Sequence, residues 1–146
     1  MAPLTTGLPR NTVRQMKRAR HVIENAGFGD APDIFKLIRK NPAELVPRPM
    51  GDILENTDRC LVARMRGKVV GTVSWQIMPD IGLAENPTVE LKSLAVDEHS
   101  RGMGIGTSLV KAALKRVMPF VPAKIIVLTF RPDFFRDLQK NFDCIW

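Results

Sequence analysis

The chain contains no tyrosine, and only two histidines and two cysteines occur in its 146 residues. Without a phenol, proton transfer at any reactive centre falls to carboxylates, imidazoles, amines, thiols or water. His21 and His99 are too few for a histidine-rich metal centre, so no metal is expected. Cys60 and Cys144 form no C-x-x-C pair, which excludes the usual zinc patterns and a disulfide framework. That cysteine usage suits a reducing compartment, and a cytoplasmic setting is the expectation. No apolar run reaches the roughly 20 residues of a membrane span, so no membrane partner is expected. The first twenty residues hold Arg10, Arg14, Lys17, Arg18 and Arg20 but no acid. They lack the apolar centre of a secretory signal.

What remains is ordinary for one soluble globular domain: 45% hydrophobic and 25% charged residues. We read residues 1–16 as an irregular basic arm, with Pro3, Gly7 and Pro9 and no periodicity, and 17–146 as a single domain. Net charge is +7, which favours an anionic partner. Nucleic acid, an acidic membrane surface or a phosphorylated cofactor would each satisfy it, as would a basic arm with solvated helix faces. Nucleic acid is disfavoured, because aromatic and basic residues are not interleaved as in single-strand binders.

Periodicity predicts a first strand at Arg20–Asn25 and then a helix through Ile34, Phe35, Leu37 and Ile38. Asp30 or Asp33 can cap that helix, with Pro32 in its first turn. Prolines 42, 47 and 49 stiffen the link to a short helix near Asp52–Asn56. Strands follow at Cys60–Met65 and Val69–Ile77, joined by a tight turn at Arg66-Gly67-Lys68. A fourth strand, Val89–Val96, leads through Asp97–Ser100 into a glycine-rich helix start. Leu109, Val110, Ala113, Leu114 and Val117 give this third helix its apolar face. Lys124–Phe130 is nearly continuously apolar and reads as a strand buried on both faces. A last helix begins at Pro132-Asp133, and Phe142–Trp146 closes the chain as a short final strand. The helical crossover makes strands four and five parallel, while the hairpins are antiparallel. The expected fold is a mixed-sheet α+β domain of about six strands and about four helices.

The stretch Arg101-Gly102-Met103-Gly104-Ile105-Gly106-Thr107 carries the chemistry. Unpaired N–H groups at a helix start attract an anion, and alternating glycines let the backbone approach it. Two known phosphate cradles fail on position. A dinucleotide fingerprint would need glycine where Thr107 stands, and no Gly-Lys-Ser/Thr follows for a Walker loop. Instead, Leu94-Ala95-Val96, a four-residue turn and Arg101-x-x-Gly104-x-Gly106 resemble the acyl-CoA signature of the GNAT superfamily of N-acetyltransferases. The likeness in element order covers about Arg20 to Phe142. More narrowly, Glu90–Val96, Leu45-Val46-Pro47-Arg48 and Val127-Leu128-Thr129-Phe130 resemble short amino-acid N-acetyltransferases of the N-acetylglutamate synthase type.

The resemblance implies acetyl-CoA as cosubstrate and a small amine as acceptor, with glutamate or another amino acid the first choice. It implies a splay between strands four and five. Backbone N–H groups of Arg101, Gly102, Met103, Gly104, Ile105, Gly106 and Thr107 would hold the pyrophosphate, and Leu94, Ala95 and Val96 the pantetheine arm. A backbone N–H near Leu94 would serve as oxyanion donor. Strand alternation places Glu90, Lys92, Leu94 and Val96 along one face. Glu90 is the candidate base for the amine proton, and the resemblance supports it, since several GNAT enzymes carry a glutamate at that point of the fourth strand. The alternative for Glu90 is a surface carboxylate paired with Lys92. Lys92, Arg48 and Arg131 are candidates to hold an acceptor carboxylate, against a reading of each as a solvated charge. Family members often protonate the thiolate with a tyrosine in the fourth helix, where Phe134 or Phe135 stands here. The short C-terminus implies that the family's last strand is missing or supplied by a partner subunit, as in a homodimer. A peptide or protein acetyltransferase, or a CoA-binding regulatory module, are the alternatives.

Overall fold

The computed structural model describes residues 21–79, 85–129 and 131–140. The expected basic arm, Phe130 and the expected closing strand at Phe142–Trp146 lie outside these residues. The elements run β1 (His21–Asn25), α1 (Ala31–Arg39), α2 (Met50–Glu55), β2 (Cys60–Met65) and β3 (Lys68–Ile77). Then follow β4 (Thr88–Val96), α3 (Ile105–Val117), β5 (Lys124–Val127) and α4 (Pro132–Lys140). The described strands form one five-stranded sheet in sequence order. Neighbours from β1 to β4 are antiparallel, and β4 and β5 are parallel across the α3 crossover. This is the expected mixed α+β architecture, with five strands and four α-helices among the described residues.

Two-residue alternation along β2 sends its side chains into two separate cores. Leu61 and Ala63 meet Val73, Trp75, the apolar stripe of α3 (Leu109, Val110, Ala113, Leu114, Val117) and Leu138 of α4. Cys60 and Val62 meet Ala31, Ile34 and Ile38 of α1 and Ile53 of α2 on the opposite face. The sheet is therefore a middle layer, with α3 and α4 on one side and α1 and α2 on the other. Arg66 and Gly67 turn the β2–β3 hairpin with φ of 52° and 76°, the left-handed pair that two-residue hairpins require.

Three local expectations change. Asp30 precedes α1 but does not cap it. Its carboxylate instead accepts from Arg64 Nη2 at 2.8 and 2.7 Å and from the Gly27 N–H at 2.8 Å, because a guanidinium is the stronger partner. The predicted Lys124–Phe130 strand stops at Val127, and its expected burial on both faces fails. Pairing with β4 ends at Leu91↔Val127, Lys124 is exposed and Leu128 is 81% exposed.

The third change matters most. Thr72 pairs with Ala95 and Ser74 with Lys92, so Val73 alone faces both Ser93 and Leu94. This is a β-bulge, and Ser93 takes the left-handed conformation (φ 56°) to make it. The extra residue reverses the alternation. Leu94 and Val96 pack into the α3-side core with Val89 and Leu91. Glu90 and Lys92 share the opposite face with Gln76 and Ser74, their partners in register. The expectation of Glu90, Lys92, Leu94 and Val96 in one line is thus wrong beyond Lys92, since alternation counts residues and cannot see a bulge.

Gly71 of β3 lets α3 lie close. A Cβ there would stand 3.0 Å from Leu109 Cδ1 and 3.1 Å from Ile105 Cγ2. Gly71→Val is expected to lower stability by about 1–3 kcal/mol in urea unfolding, the usual cost of overpacking. An unchanged midpoint would show that α3 does not need this approach.

Candidate active site

Below Leu91, β4 is paired on both sides. Above it, the edge facing β5 has no strand partner among the described residues. The bulge and the divergence of β5 open a cleft of about 420 Å³ between β4, α3, the end of β5 and α4. Leu94, Ala95 and Val96 form one wall. Arg101, Gly102, Gly104, Ile105, Gly106 and Thr107 form the end nearest α3. Of the expected cofactor residues, Met103 alone is not part of the lining. Its side chain packs against the α3-side core.

The α3 end of the cleft suits an anion. The first intrahelical bond runs from the Ser108 N–H to the Gly104 carbonyl, so the N–H groups of Ile105, Gly106 and Thr107 lack acceptors within the helix. The first turn holds no acidic side chain to occupy them. Gly102 and Gly104 both have φ of 78°, a conformation that side chains resist. Gly106 serves a different purpose. A Cβ there would meet the Phe134 ring at 3.2 Å, so this glycine gives room to α4. Arg101 is exposed; its Nε reaches the Val96 carbonyl at 3.4 Å and its Nη2 donates to Asn41 Oδ1 at 2.6 Å.

Residues outside the expected site set complete this cleft. Asn41, Glu44 and Leu45, from the segment between α1 and α2, form its outer rim. Arg131 stands on the opposite rim and donates to Glu44 Oε1 at 3.0 Å. Nothing in the sequence pattern marks Asn41 or Glu44, because the link is a contact between residues 87 positions apart. Phe134 and Phe135 close the α4 side with rings 5.1 Å apart, edge to face. No phenol replaces them, so the α4 wall of the cleft is apolar.

A second cavity of about 200 Å³ lies on the α1–α2 face of the sheet, lined by Arg48, Asp52, Asn56, Arg59, Ser74, Gln76 and Lys92 among others. Lys92 lines both cavities. Its Nζ donates to Gln76 Oε1 at 2.6 Å. Arg48 is 9% exposed; its Nε donates to Asp52 Oδ2 at 2.6 Å and its Nη1 to Ser74 Oγ at 3.1 Å. The structure thus brings Arg48 and Lys92 together in the smaller cavity, while Arg131, paired with Glu44, shares only the larger cleft with Lys92. Glu90 is half-buried one register step from Lys92, opposite Gln76, and lines neither cavity. The pairing of Glu90 with Lys92 considered above is not formed.

Among the described residues, no group of three or more histidine, cysteine, aspartate or glutamate side chains is placed to hold a metal ion. None of the described helices is long and apolar enough to cross a membrane.

Residues 31–135 match the family model described as Acetyltransferase (GNAT) family. An N-acetyltransferase of Chlorobaculum tepidum is 27% identical over 134 residues, covering 87% of this chain and 83% of that one. The amino-acid acetyltransferase of Mycobacterium tuberculosis is 28% identical over 121 residues, covering 80% of this chain and 66% of that protein. Among solved structures, a Mycobacterium tuberculosis protein in complex with CoA and NLQ superposes with a TM-score of 0.71 at 27% identity, over 80% of this chain and 69% of its own. N-acetylglutamate synthase from Neisseria gonorrhoeae, complexed with coenzyme A and N-acetyl-glutamate, gives a TM-score of 0.71 at 20% identity. It matches 80% of this chain but 27% of its own length, and that likeness is one of fold. A family match that runs from the start of α1 into α4, laid over a sheet splayed between β4 and β5, leaves one conclusion: this chain belongs to the GNAT family of acetyltransferases.

Proposed function

We propose that the protein transfers an acetyl group from acetyl-CoA directly to the primary amine of a small acceptor, with a carboxylate-bearing amino acid such as glutamate the first choice. The observation that carries this reading is the shared wall. Lys92 lines both the cleft and the cavity of Arg48, so two reactants could meet across β4. Bringing them into register supplies much of such a rate enhancement.

The cleft fits the donor. Its anion end would take the pyrophosphate on the N–H groups at the start of α3, with the Arg101 side chain free to turn from Asn41 toward it. The unpaired β4 edge along Leu94, Ala95 and Val96 would run beside the pantetheine arm. Acetyl-CoA supplies the activated acyl group. The chain supplies an N–H on the bulged edge, at Leu94 or beside it, for the oxygen that gains charge during transfer. A guanidinium and an ammonium at Arg48 and Lys92 suit a carboxylate on the acceptor. An α-amino group is mostly protonated at neutral pH, so a base is needed. Glu90, on the face of β4 that carries Lys92, would accept that proton directly or through water. With no tyrosine in the chain, the departing thiolate takes its proton from solvent or from the acceptor. The CoA-bound and amino-acid-acetylating relatives support the reading.

Release of CoA should be seen with acetyl-CoA and one or a few members of an amino-acid panel, acidic ones first. Turnover with peptide N-termini and none with amino acids would move the acceptor to proteins. Tight CoA binding without turnover on any amine would leave a binding module. Glu90→Gln is expected to lower kcat about 100-fold while the affinity for acetyl-CoA holds. A kcat within a factor of two of the parent would remove Glu90 as the base. Gly104→Ala, forced to carry a Cβ at φ 78°, should raise the KM for acetyl-CoA about tenfold, in line with the cost of a left-handed residue. An unchanged KM would place the anion elsewhere.

A further inference from the structure

Arg48 does more in this structure than line a cavity. Its Nη1 donates to two hydroxyls, Ser74 Oγ at 3.1 Å and Ser93 Oγ at 3.4 Å. These two residues flank the bulge. Ser74 is the first paired β3 residue after the register shift, and Ser93 is the extra residue on β4. Nε is fixed by Asp52 at 2.6 Å, so the guanidinium is held from the far side as well. Ser93 is a non-glycine residue at φ 56°. Such a conformation is disfavoured on its own and persists where its surroundings hold it. The side chain that reaches it is a buried cation. Nη2 of Arg48 makes no hydrogen bond to any described residue, and Arg48 lines the smaller cavity.

We propose that Arg48 is a positioning residue for the donor cleft. By clamping Ser93 and Ser74 across the bulge, it fixes the β4 edge along which the reactive end of the donor lies. The same guanidinium offers its free edge to an acceptor carboxylate. One side chain then couples the two cavities: an acceptor that engages Nη2 meets a group already tied to the bulge, and a donor seated on the bulge favours that orientation of the guanidinium. The inference rests on the reading of the larger cleft as the acyl-CoA site.

The test uses acetyl-CoA binding by calorimetry with no acceptor present, which separates this role from that of an acceptor ligand. Arg48→Met should weaken acetyl-CoA about five- to tenfold, the scale of losing charge-assisted hydrogen bonds, with the far-ultraviolet circular dichroism of the parent. Ser93→Ala, which leaves Arg48 intact, should weaken it about threefold or more. The double variant should lose less than the product of the two single losses, because both remove one link. Arg48→Met binding acetyl-CoA as the parent does, with only the acceptor KM raised, would overturn the proposal. So would losses that multiply. Should Arg48→Met fail to fold, Ser93→Ala decides alone, and unchanged binding there overturns it. No acetyl-CoA binding by the parent protein would remove the reading of the cleft and this inference together.

Discussion

The site depends on one residue too many in β4. Val73 of β3 faces both Ser93 and Leu94, and the sheet resolves the mismatch by turning Ser93 left-handed. The reversal of side-chain alternation along β4 follows from that local cost. Below the bulge, β4 pairs with β3 and β5 and its odd-numbered side chains enter the α3-side core. Above it, Leu94 and Val96 enter that core instead, and the outer edge of the strand is left open. Bulges recur where a strand must stop pairing and re-aim its side chains, and here both effects are used at once.

The cost is carried by a polar group that the surrounding packing can afford. Arg48 is a nearly buried cation, and burial of a charge is tolerated when its donors are met. Asp52, Ser74 and Ser93 meet three of those contacts, and Ser93 itself also lines the cleft. On the cleft side, the electrostatics run the other way. The start of α3 offers N–H groups with no acid among its first residues, so that end of the molecule is prepared for negative charge it does not itself supply.

Most of the architecture was legible because it depends on short-range pattern. The α3 stripe from Leu109 to Val117 and the Arg66-Gly67 turn are written in spacing and residue type, and the elements lie close to their expected places. The glycine stretch is legible as a helix start with room for an anion, and the residues at 107 and beyond set it apart from two other cradles. The illegible parts are tertiary. A bulge leaves no mark in Ser93-Leu94, so alternation carried Glu90's line one step too far. Asp30 reads as a helix cap until Arg64, 34 residues away, claims its carboxylate. The apolar run from Lys124 reads as a fully buried strand because nothing local shows that its neighbour has moved away at Leu91. The rim residues Asn41 and Glu44 are ordinary polar residues in a proline-rich link, made relevant only by Arg101 and Arg131 across the cleft.

The three glycines at the head of α3 look alike in the sequence but answer to different masters. Gly102 and Gly104 are demanded by backbone torsion, whatever surrounds them. Gly106 is demanded by a ring, since the space its missing methyl leaves is filled by Phe134. The first two should therefore resist replacement in any relative built this way. The third is negotiable: an alanine at 106 becomes acceptable wherever position 134 carries something smaller than phenylalanine. Drift at these two sites is thus joined, and a change of residue in α4 can rewrite which small residue the first turn of α3 is allowed to use.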